Sequence, residues 1–299
     1  MVKHNEPAFL EQLRRRVRIP AGSELVMGIG DDCAILRPRG ARHDLLFTTD
    51  MLLEGVHFQR DSHTAHDVGW KALARGLSDI AAMGGTPTFC LLSLALGEWA
   101  DRRWIAGFYD GLLAHGTPLA GGDLARADRM MCDIVVAGTA PRGKALRRDG
   151  ARAGDAIFVS GVLGGSALGL ETRRGRAWSI HKRPRPRLAL GRFLRERLHA
   201  TAAMDLSDGL SMDLYRLAKA SGLAAEIAMP PVFPGASAHH ALHGGEDYEL
   251  LFTVREGVRV PAEVEGIQLT RIGSMRRGRA GLVSLDGTEL QPLGWDHLR

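Results

Sequence analysis

Six short stretches of the chain place carboxylates beside glycines or hydroxyl side chains. In the first, "GIGDDCAIL" at residues 28–36, Asp31 and Asp32 stand between a glycine pair and an apolar run. Adjacent like charges repel, and acidic side chains are rarely buried without compensation, so this stretch by itself fits an exposed acidic turn. The acidic residues of the other five stretches are Asp50, Asp79, Asp123, Asp205 with Asp208, and Glu246 with Asp247.

Taken together, the six stretches predict a site for a hard cation. Five of them lie where an apolar element meets a turn with Gly, Ser or Thr, which is where open α/β sheets collect ligand groups. Carboxylate and hydroxyl oxygens suit Mg²⁺, which keeps waters and substrate phosphates in its coordination shell. No Cys pair stands at the spacing that a softer metal requires. For any single stretch, an N-cap or turn carboxylate stays an open alternative.

The chain lacks the familiar phosphate-binding motifs that contain a lysine. Neither G-x-x-x-x-G-K-[ST] nor a kinase-type glycine loop followed by a lysine strand is present. The loop richest in glycine, "SGVLGGSALG" at 160–169, fits a phosphate-binding turn or a tightly packed one. We therefore expect phosphate to be held through metal ions.

Alternating strand and helix patterns position these residues. Apolar residues at helical spacing predict a helix over 66–83, which carries Asp79 and ends at a glycine pair. They predict another over 208–220, with Ser207 or Asp208 as its N-cap. Apolar runs of strand length lie at 45–48, 89–96, 134–138, 157–160 and 250–254.

Length and composition indicate a soluble globular protein of two domains. The 299 residues are 45% hydrophobic and 24% charged, and residues 140–155 lack periodicity, so we place the domain boundary there. No apolar run approaches the length of a membrane span, and the N-terminus lacks the apolar core of a signal peptide. Three scattered cysteines do not make a disulfide framework. We expect a cytoplasmic protein without a membrane partner.

The positive charge of the chain is concentrated in one segment. The formal net charge is +5, yet residues 171–200 alone hold ten Lys and Arg against two Glu, so the rest of the chain is slightly acidic. One basic segment is a weak nucleic-acid footprint, because such a site needs a basic face with groove-reading or aromatic elements. We interpret it as a solvated, partly mobile loop or a surface that handles phosphate, with no nucleic-acid partner.

Nine motifs follow one another along the chain, namely "GIGDDCA", "TTDMLLEGVHF", "KALARGLSDIAAMGGTP", "GGD", "RRDGARAGD", "SGVLGGSALG", "HKRPRPR", "MDLSDGLSMDL" and "GGEDYELLF". Their order resembles that of the thiamine-monophosphate kinases, a family in the aminoimidazole-ribonucleotide synthetase superfamily of ATP-dependent enzymes. The resemblance extends from about residue 25 to the C-terminal "GWDHL".

The resemblance implies an α/β fold of α+β character in two domains. Residues 1–140 would form a sheet domain that binds ATP and magnesium and pairs with a second copy in a homodimer. Residues 150–299 would form an α/β domain of the aminoimidazole-ribonucleotide synthetase type that completes the active site. The implied reaction moves the γ-phosphoryl group of ATP onto thiamine monophosphate, with several Mg²⁺ ions, to give thiamine diphosphate and ADP.

Site residues follow from the resemblance position by position. The implied metal ligands are Asp32, Thr48, Thr49, Asp50, Asp79, Asp123, Asp205 and Asp208. The implied ATP contacts are Tyr109, Gly122, Asp123, Arg148 and Ser207. The implied thiamine side is His57, Glu246 and Trp295. Asp31 is expected to be structural, and no catalytic general base is assigned, because the nucleophile is already an anionic phosphate oxygen.

Two departures and two alternatives accompany this interpretation. Gly76 stands where the family often has Asn, and Leu124 where it often has Thr, so a polar side chain is missing beside a predicted ligand in each case. The chain could instead be another ATP-dependent enzyme of the superfamily, or a non-catalytic protein that binds nucleotides or polyanions. Trp295 could stack on thiamine or anchor the C-terminal tail.

Overall fold

Residues 6–17 and 19–295 are described by the computed structural model, and their strands form two sheets. None of the helices in this described part has the length and apolarity that a bilayer-spanning helix needs. The elements up to the end of the first sheet are α1 (Glu6–Arg16), β1 (Leu25–Met27), β2 (Ala34–Leu36), β3 (His43–Leu53), α2 (Ala65–Ala82), β4 (Thr86–Gly97), α3 (Arg102–Leu113), β5 (Leu119–Ala127) and β6 (Met131–Pro141).

The second sheet and its helices occupy the rest of the described chain. Their elements are β7 (Ala156–Ser160), α4 (Gly165–Thr172), α5 (Gly175–Lys182), α6 (Leu188–Phe193), a π-helix (Leu194–Leu198), β8 (Ala202–Asp205), α7 (Leu210–Ala220), β9 (Ala224–Ile227), α8 (Ala238–His243), β10 (Leu250–Val254), β11 (Glu263–Val264), β12 (Ile267–Arg276), β13 (Val283–Leu285) and β14 (Thr288–Glu289). All five predicted strands and both predicted helices are thereby confirmed, with shifted ends for most of them.

The first sheet has the order β1-β2-β3-β6-β4-β5, and only β4 and β5 pair in parallel among these strands. Strands β3 and β6 pair along their whole length, with Asp50 opposite Ile134. Because successive side chains of a strand point to opposite faces, Thr48 and Asp50 lie on the face that packs against α2, together with the buried Leu52. Thr49 lies on the other face.

The second sheet has the order β14-β13-β9-β12-β7-β10-β8, with β11 paired to β12. Its pairs are antiparallel except for β13 with β9. The expected mixed α/β fold with two sheets is confirmed. The mainly antiparallel pairing means that the functional residues do not gather at the carboxyl edge of a parallel sheet, and they have to be assembled by packing between elements.

The first half of the chain, from α1 to β6, and the second half, from β7 to β14, meet at helix α2. It packs against β3 and β6 of the first sheet, against α3, and against β8 and α6 of the second half. Thr64 caps its N-terminus in a capping box with Asp67, and Met83 is its C-cap, followed by Gly84 at φ +64°. At Gly69 an added Cβ would lie 1.9 Å from the carbonyl oxygen of Phe108, so only glycine allows α3 to cross α2 this closely.

The start of α7 differs from the prediction. Gly209 is its N-cap, and neither Ser207 nor Asp208 caps it with a side chain. The Oδ2 atom of Asp213, inside the first turn, instead accepts the backbone N–H groups of Asp208 and Gly209 at 3.0 and 3.1 Å. The carboxylate of Asp208 is therefore available for another partner.

The basic segment 171–200 is also different from the loop that we expected. It folds into the end of α4, then α5, α6 and the π-helix. Lys182 and Arg183 both pair with the buried carboxylate of Asp67 on α2, at 2.9 and 2.5 Å. The interpretation of this segment as a loop is wrong, because most of it is helical and part of its positive charge neutralises the buried carboxylate of Asp67 at the junction of the two halves.

Candidate active site

Three carboxylates from distant parts of the chain converge beside α2. Asp32 belongs to the loop before β2, Asp79 to α2, and Asp205 is the last residue of β8. One oxygen of each lies within 4.8 Å of the others, a spacing at which a single metal ion could bind all three. The structure therefore brings together three of the eight predicted metal ligands in one cluster, which we call the carboxylate cluster.

Hydroxyl groups hold two members of the carboxylate cluster in place. The Oγ1 atom of Thr48 donates to Oδ2 of Asp79 at 2.5 Å, and Oγ of Ser78 donates to Oδ2 of Asp205 at 2.6 Å. The Oδ2 atom of Asp32 is buried and has no hydrogen-bond partner. A buried carboxylate oxygen without a partner is costly, so the donor set of hard oxygens fits a divalent cation such as Mg²⁺.

The electrostatics of the carboxylate cluster also favour a bound cation. Burial, followed by the charges of neighbouring carboxylates, raises the pKa of Asp79 and that of Asp205 well above the usual value. Burial also raises the pKa of Asp32, although the nearby Arg148 opposes this. The charged forms are thus disfavoured until positive charge arrives, and a bound cation would supply it.

Arg148, a predicted ATP contact, is occupied by the aspartate pair of the first motif. Its Nη2 lies 2.5 Å from Oδ1 of Asp32, and its Nε lies 3.4 Å from Oδ1 of Asp31. Asp31 also accepts the backbone N–H groups of Asp32 and Arg148, at 3.0 and 3.2 Å. Asp31 therefore joins the loop before β2 to the connection between the two sheets, in keeping with the structural function that we expected.

Asp50 has a cationic partner that the sequence analysis missed. The Nη2 atom of Arg75, on α2, lies 3.0 Å from Oδ1 of Asp50, and Nη1 donates to the carbonyl oxygen of Met51 at 2.8 Å. The Nε atom of Arg75 is buried without a partner. Burial acts to lower the pKa of Arg75, but the acidic groups around it, including Asp50 and Glu246, outweigh burial and raise it. The guanidinium is thus a fixed positive charge.

Asp208 and Ser207 connect two turns of the second half. The carboxylate of Asp208 pairs with the guanidinium of Arg216. The carbonyl oxygen of Ser207 accepts the backbone N–H of Glu246 at 2.7 Å, so the turn after β8 and the turn before β10 lie side by side. The C-terminal tail reaches the same place, since the backbone N–H of the half-exposed Trp295 donates to the carbonyl oxygen of Asp208 at 3.1 Å.

The predicted ligands of the outer sheet face lie apart from the carboxylate cluster. Thr49 donates through Oγ1 to Oδ1 of Asp133 at 2.6 Å, on the face of the first sheet that points away from α2. Asp123 is exposed on β5 and lies opposite Ser93 of β4. Ser93 in turn lies opposite Asp133 of β6, so Asp123 and Asp133 belong to one row of residues across the sheet. None of the described contacts joins these side chains to the carboxylate cluster.

The two remaining ATP candidates are positioned by packing. Tyr109 lies on α3 and contacts the ring of Phe108 edge-on, with ring centroids 5.7 Å apart. At Gly122 an added Cβ would lie 1.8 Å from the carbonyl oxygen of Leu92, so the close approach of β4 and β5 requires glycine there. Their assignment to ATP remains a prediction.

A buried lysine joins two of the three residues predicted to bind thiamine. The Nζ atom of Lys71 lies 2.9 Å from Oε2 of Glu246, and it donates to the carbonyl oxygen of His57 at 3.2 Å. His181 also contacts Nζ through Nε2 at 3.4 Å. Burial acts to raise the pKa of Glu246, but the charges of Lys71 and then His181 lower it to about 2, so this carboxylate stays ionised.

The sequence contained a signal for the two missed cations. Lys71, Arg75 and Asp79 follow one another at four-residue spacing, so they lie along one face of α2. The sequence analysis assigned Asp79 to the metal site but gave Lys71 and Arg75 no function. Charged residues at helical spacing usually indicate a solvated face, yet here they face the buried junction between the two sheets.

Comparison with known proteins gives consistent results over nearly the whole chain. Residues 30–140 match the family model described as AIR synthase related protein, N-terminal domain. The thiamine-monophosphate kinase of Salmonella typhimurium is 41% identical over 285 residues, which are 85% of this chain and 86% of that protein. That of Escherichia coli strain K12 is 38% identical over 302 residues, 91% of each chain.

A solved structure gives the same result at the level of the fold. AaThiL complexed with AMPPCP and TMP superposes with a TM-score of 0.84 at 32% identity, covering 98% of this chain and 97% of that one. The sequence relatives share more than 30% identity across more than two thirds of the chain. This chain therefore belongs to the thiamine-monophosphate kinase family.

Proposed function

We propose that this chain transfers the γ-phosphoryl group of ATP to the phosphate of thiamine monophosphate, giving thiamine diphosphate and ADP. Relatives named thiamine-monophosphate kinase support the reaction, and the AaThiL complex with AMPPCP and TMP supports the two substrates. The observation on this chain that carries the proposal is the carboxylate cluster, because Asp32, Asp79 and Asp205 meet only where the two halves of the chain pack together.

We further propose that the carboxylate cluster holds magnesium. Asp32, Asp79 and Asp205 would be its first ligands, and Mg²⁺ bound there would neutralise phosphate oxygens and stabilise charge in the transition state. The other metal ligands predicted from the sequence are Thr48, Thr49, Asp50, Asp123 and Asp208. The predicted ATP contacts are Tyr109, Gly122, Asp123, Arg148 and Ser207, and the predicted thiamine side is His57, Glu246 and Trp295. The partnerless oxygen of Asp32 supports the metal assignment.

The side chains of this protein would position the two substrates for the reaction. An oxygen of the acceptor phosphate attacks the γ-phosphorus of ATP, and the bond between that phosphorus and the oxygen of the leaving ADP breaks. The attacking oxygen is already anionic, so no side chain has to remove a proton. Glu246, fixed by Lys71, would orient the cationic thiamine ring system, and Thr48 and Ser78 would hold Asp79 and Asp205 in position to bind the magnesium.

The domain roles and the homodimer belong to the same proposal. Residues 1–140 would bind ATP and pair with a second copy, and residues 150–299 would complete the site. The outer face of the first sheet supports pairing, because Met51, Leu91 and Met131 are exposed there. Light scattering should give about twice the chain mass of 32.4 kDa, and the mass of a single chain would contradict the dimer. The cytoplasmic location stays a prediction.

The direct test uses purified protein with ATP, MgCl₂ and thiamine monophosphate. Thiamine diphosphate should form, measured as its fluorescent oxidation product after separation. Asp79→Asn should lose turnover, while Asp110→Asn, at an exposed position on α3, should keep it. Absence of product with the unchanged chain would overturn the proposed function, and full turnover in EDTA would overturn only the magnesium part.

A further inference from the structure

One face of α2 carries three charged residues in series. Lys71, Arg75 and Asp79 are each one helical turn apart. Lys71 pairs with Glu246, on the side where thiamine is proposed to bind, and Asp79 belongs to the carboxylate cluster. Arg75 is therefore placed between the acceptor side and the metal side of the site.

Arg75 is held rigidly and still has unused hydrogen-bonding capacity. The Asp50 carboxylate at 3.0 Å and the Met51 carbonyl oxygen at 2.8 Å fix the plane of the guanidinium. Its Nε is buried and has no partner, and 13% of the side chain is exposed. A buried N–H without an acceptor costs free energy, whereas a planar guanidinium suits a phosphate, which can accept two hydrogen bonds from it.

We propose that Arg75 binds the phosphate group of thiamine monophosphate, with Asp50 and the Met51 carbonyl as its supports. This inference rests on the proposed function. The acceptor phosphate has to lie between the thiamine ring system and the γ-phosphate of ATP, and Arg75 lies between Glu246 and Asp79. Two phosphates that approach each other repel, and a fixed cation beside the acceptor reduces this repulsion.

A purely structural explanation makes a different prediction. Arg75 could serve only to neutralise the buried charge of Asp50. In that case the effect of losing Arg75 should disappear when Asp50 is changed to Asn, because no charge is left to neutralise. If Arg75 binds phosphate, Asp50→Asn should not restore the affinity for thiamine monophosphate that Arg75→Met removes.

The experiment compares equilibrium binding of ligands, without turnover, by calorimetry in the presence of Mg²⁺. The chains are the unchanged protein, Arg75→Met, Arg75→Lys, Asp50→Asn, and Arg75→Met with Asp50→Asn, whose affinity is compared with that of Asp50→Asn. The control is Arg37→Met, which removes a guanidinium paired with Asp44 away from the site. The ligands are thiamine monophosphate, thiamine and a non-hydrolysable ATP analogue, and thermal melting checks that each variant is folded.

We expect Arg75→Met to weaken binding of thiamine monophosphate about tenfold to a hundredfold, and Arg75→Lys to weaken it less. Binding of thiamine and of the ATP analogue should stay within about twofold, and the double variant should remain as weak as Arg75→Met. The inference is overturned if the ATP analogue is the ligand that loses affinity, if thiamine loses as much as its phosphate, or if Asp50→Asn restores binding. If the unchanged chain forms no thiamine diphosphate, the proposed function fails, whatever the variants do.

Discussion

Lys71 and Glu246 are 175 residues apart in the sequence, yet their charged atoms lie 2.9 Å apart. The ion pair joins α2, which packs against the first sheet, to the turn before β10 of the second. The Lys71 side chain is fully buried, and burial lowers the pKa of Lys71 although Glu246 opposes this. The pair therefore couples the stability of the junction to the geometry of the site.

Glu246 should contribute a pH-dependent part of the stability. Its pKa of about 2 in the folded chain is below the ordinary value of 4.5, so this stabilisation is complete above pH 4.5 and is lost as pH falls toward 2. Between pH 5 and pH 3 its share of the free energy of unfolding should fall by about 2 kcal/mol. Urea denaturation at pH 5 and pH 3 should show a smaller fall in the free energy of unfolding for Glu246→Gln than for the unchanged chain. An identical decline in the variant would contradict the assignment.

Asp79→Asn should stabilise the metal-free protein and inactivate it. The change removes one buried charge from the carboxylate cluster, while the amide oxygen can still accept from Thr48. We expect a rise in Tm of about 2–8 °C without metal, and loss of the further rise that Mg²⁺ causes in the unchanged chain. Thermal melts with EDTA and with MgCl₂ measure both. A lower Tm in EDTA would show that the carboxylates do not repel as described.

Trp295→Ala should distinguish thiamine stacking from anchoring of the tail. The residue is 52% exposed, and its backbone is fixed at Asp208. Stacking and cation–π attraction to the thiazolium are worth roughly 0.5–2 kcal/mol, so the KM for thiamine monophosphate should rise about threefold to thirtyfold, with kcat and the KM for ATP little changed. A lower Tm with an unchanged KM would assign the side chain to packing.

Gly76→Asn would introduce the residue that the family often has at this position, and it should destabilise this chain. An added Cβ would lie 2.6 Å from Cγ2 of Val136 on β6, so α2 lies too close to the sheet for a side chain. We expect a loss of about 1–3 kcal/mol in the free energy of unfolding. Val136→Ala should make the substitution less costly, and strictly additive effects of the two changes would contradict the packing explanation.

The carboxylates, the main elements and the family follow from the sequence alone. Apolar spacing is a local property of the sequence. It predicted both ends of the strand Leu250–Val254 correctly, and it predicted each end of α2 to within one residue. The alternation of side chains along β3 also places Thr48 and Thr49 on opposite faces of the sheet, although the sequence analysis predicted both as ligands of the same metal cluster.

Only the tertiary structure shows which charges meet. Arg75 reaches Asp50, and Lys182 and Arg183 reach Asp67, because α2 is buried between two sheets. Ion pairing depends on distance in space, and the sequence separation of these partners contains no information about it. The start of α7 is a further example, since the carboxylate of Asp213 accepts the backbone N–H groups there and the carboxylate of Asp208 pairs with Arg216. A charged residue on a helix has the same local pattern whether it faces water or a buried carboxylate, and packing decides between the two.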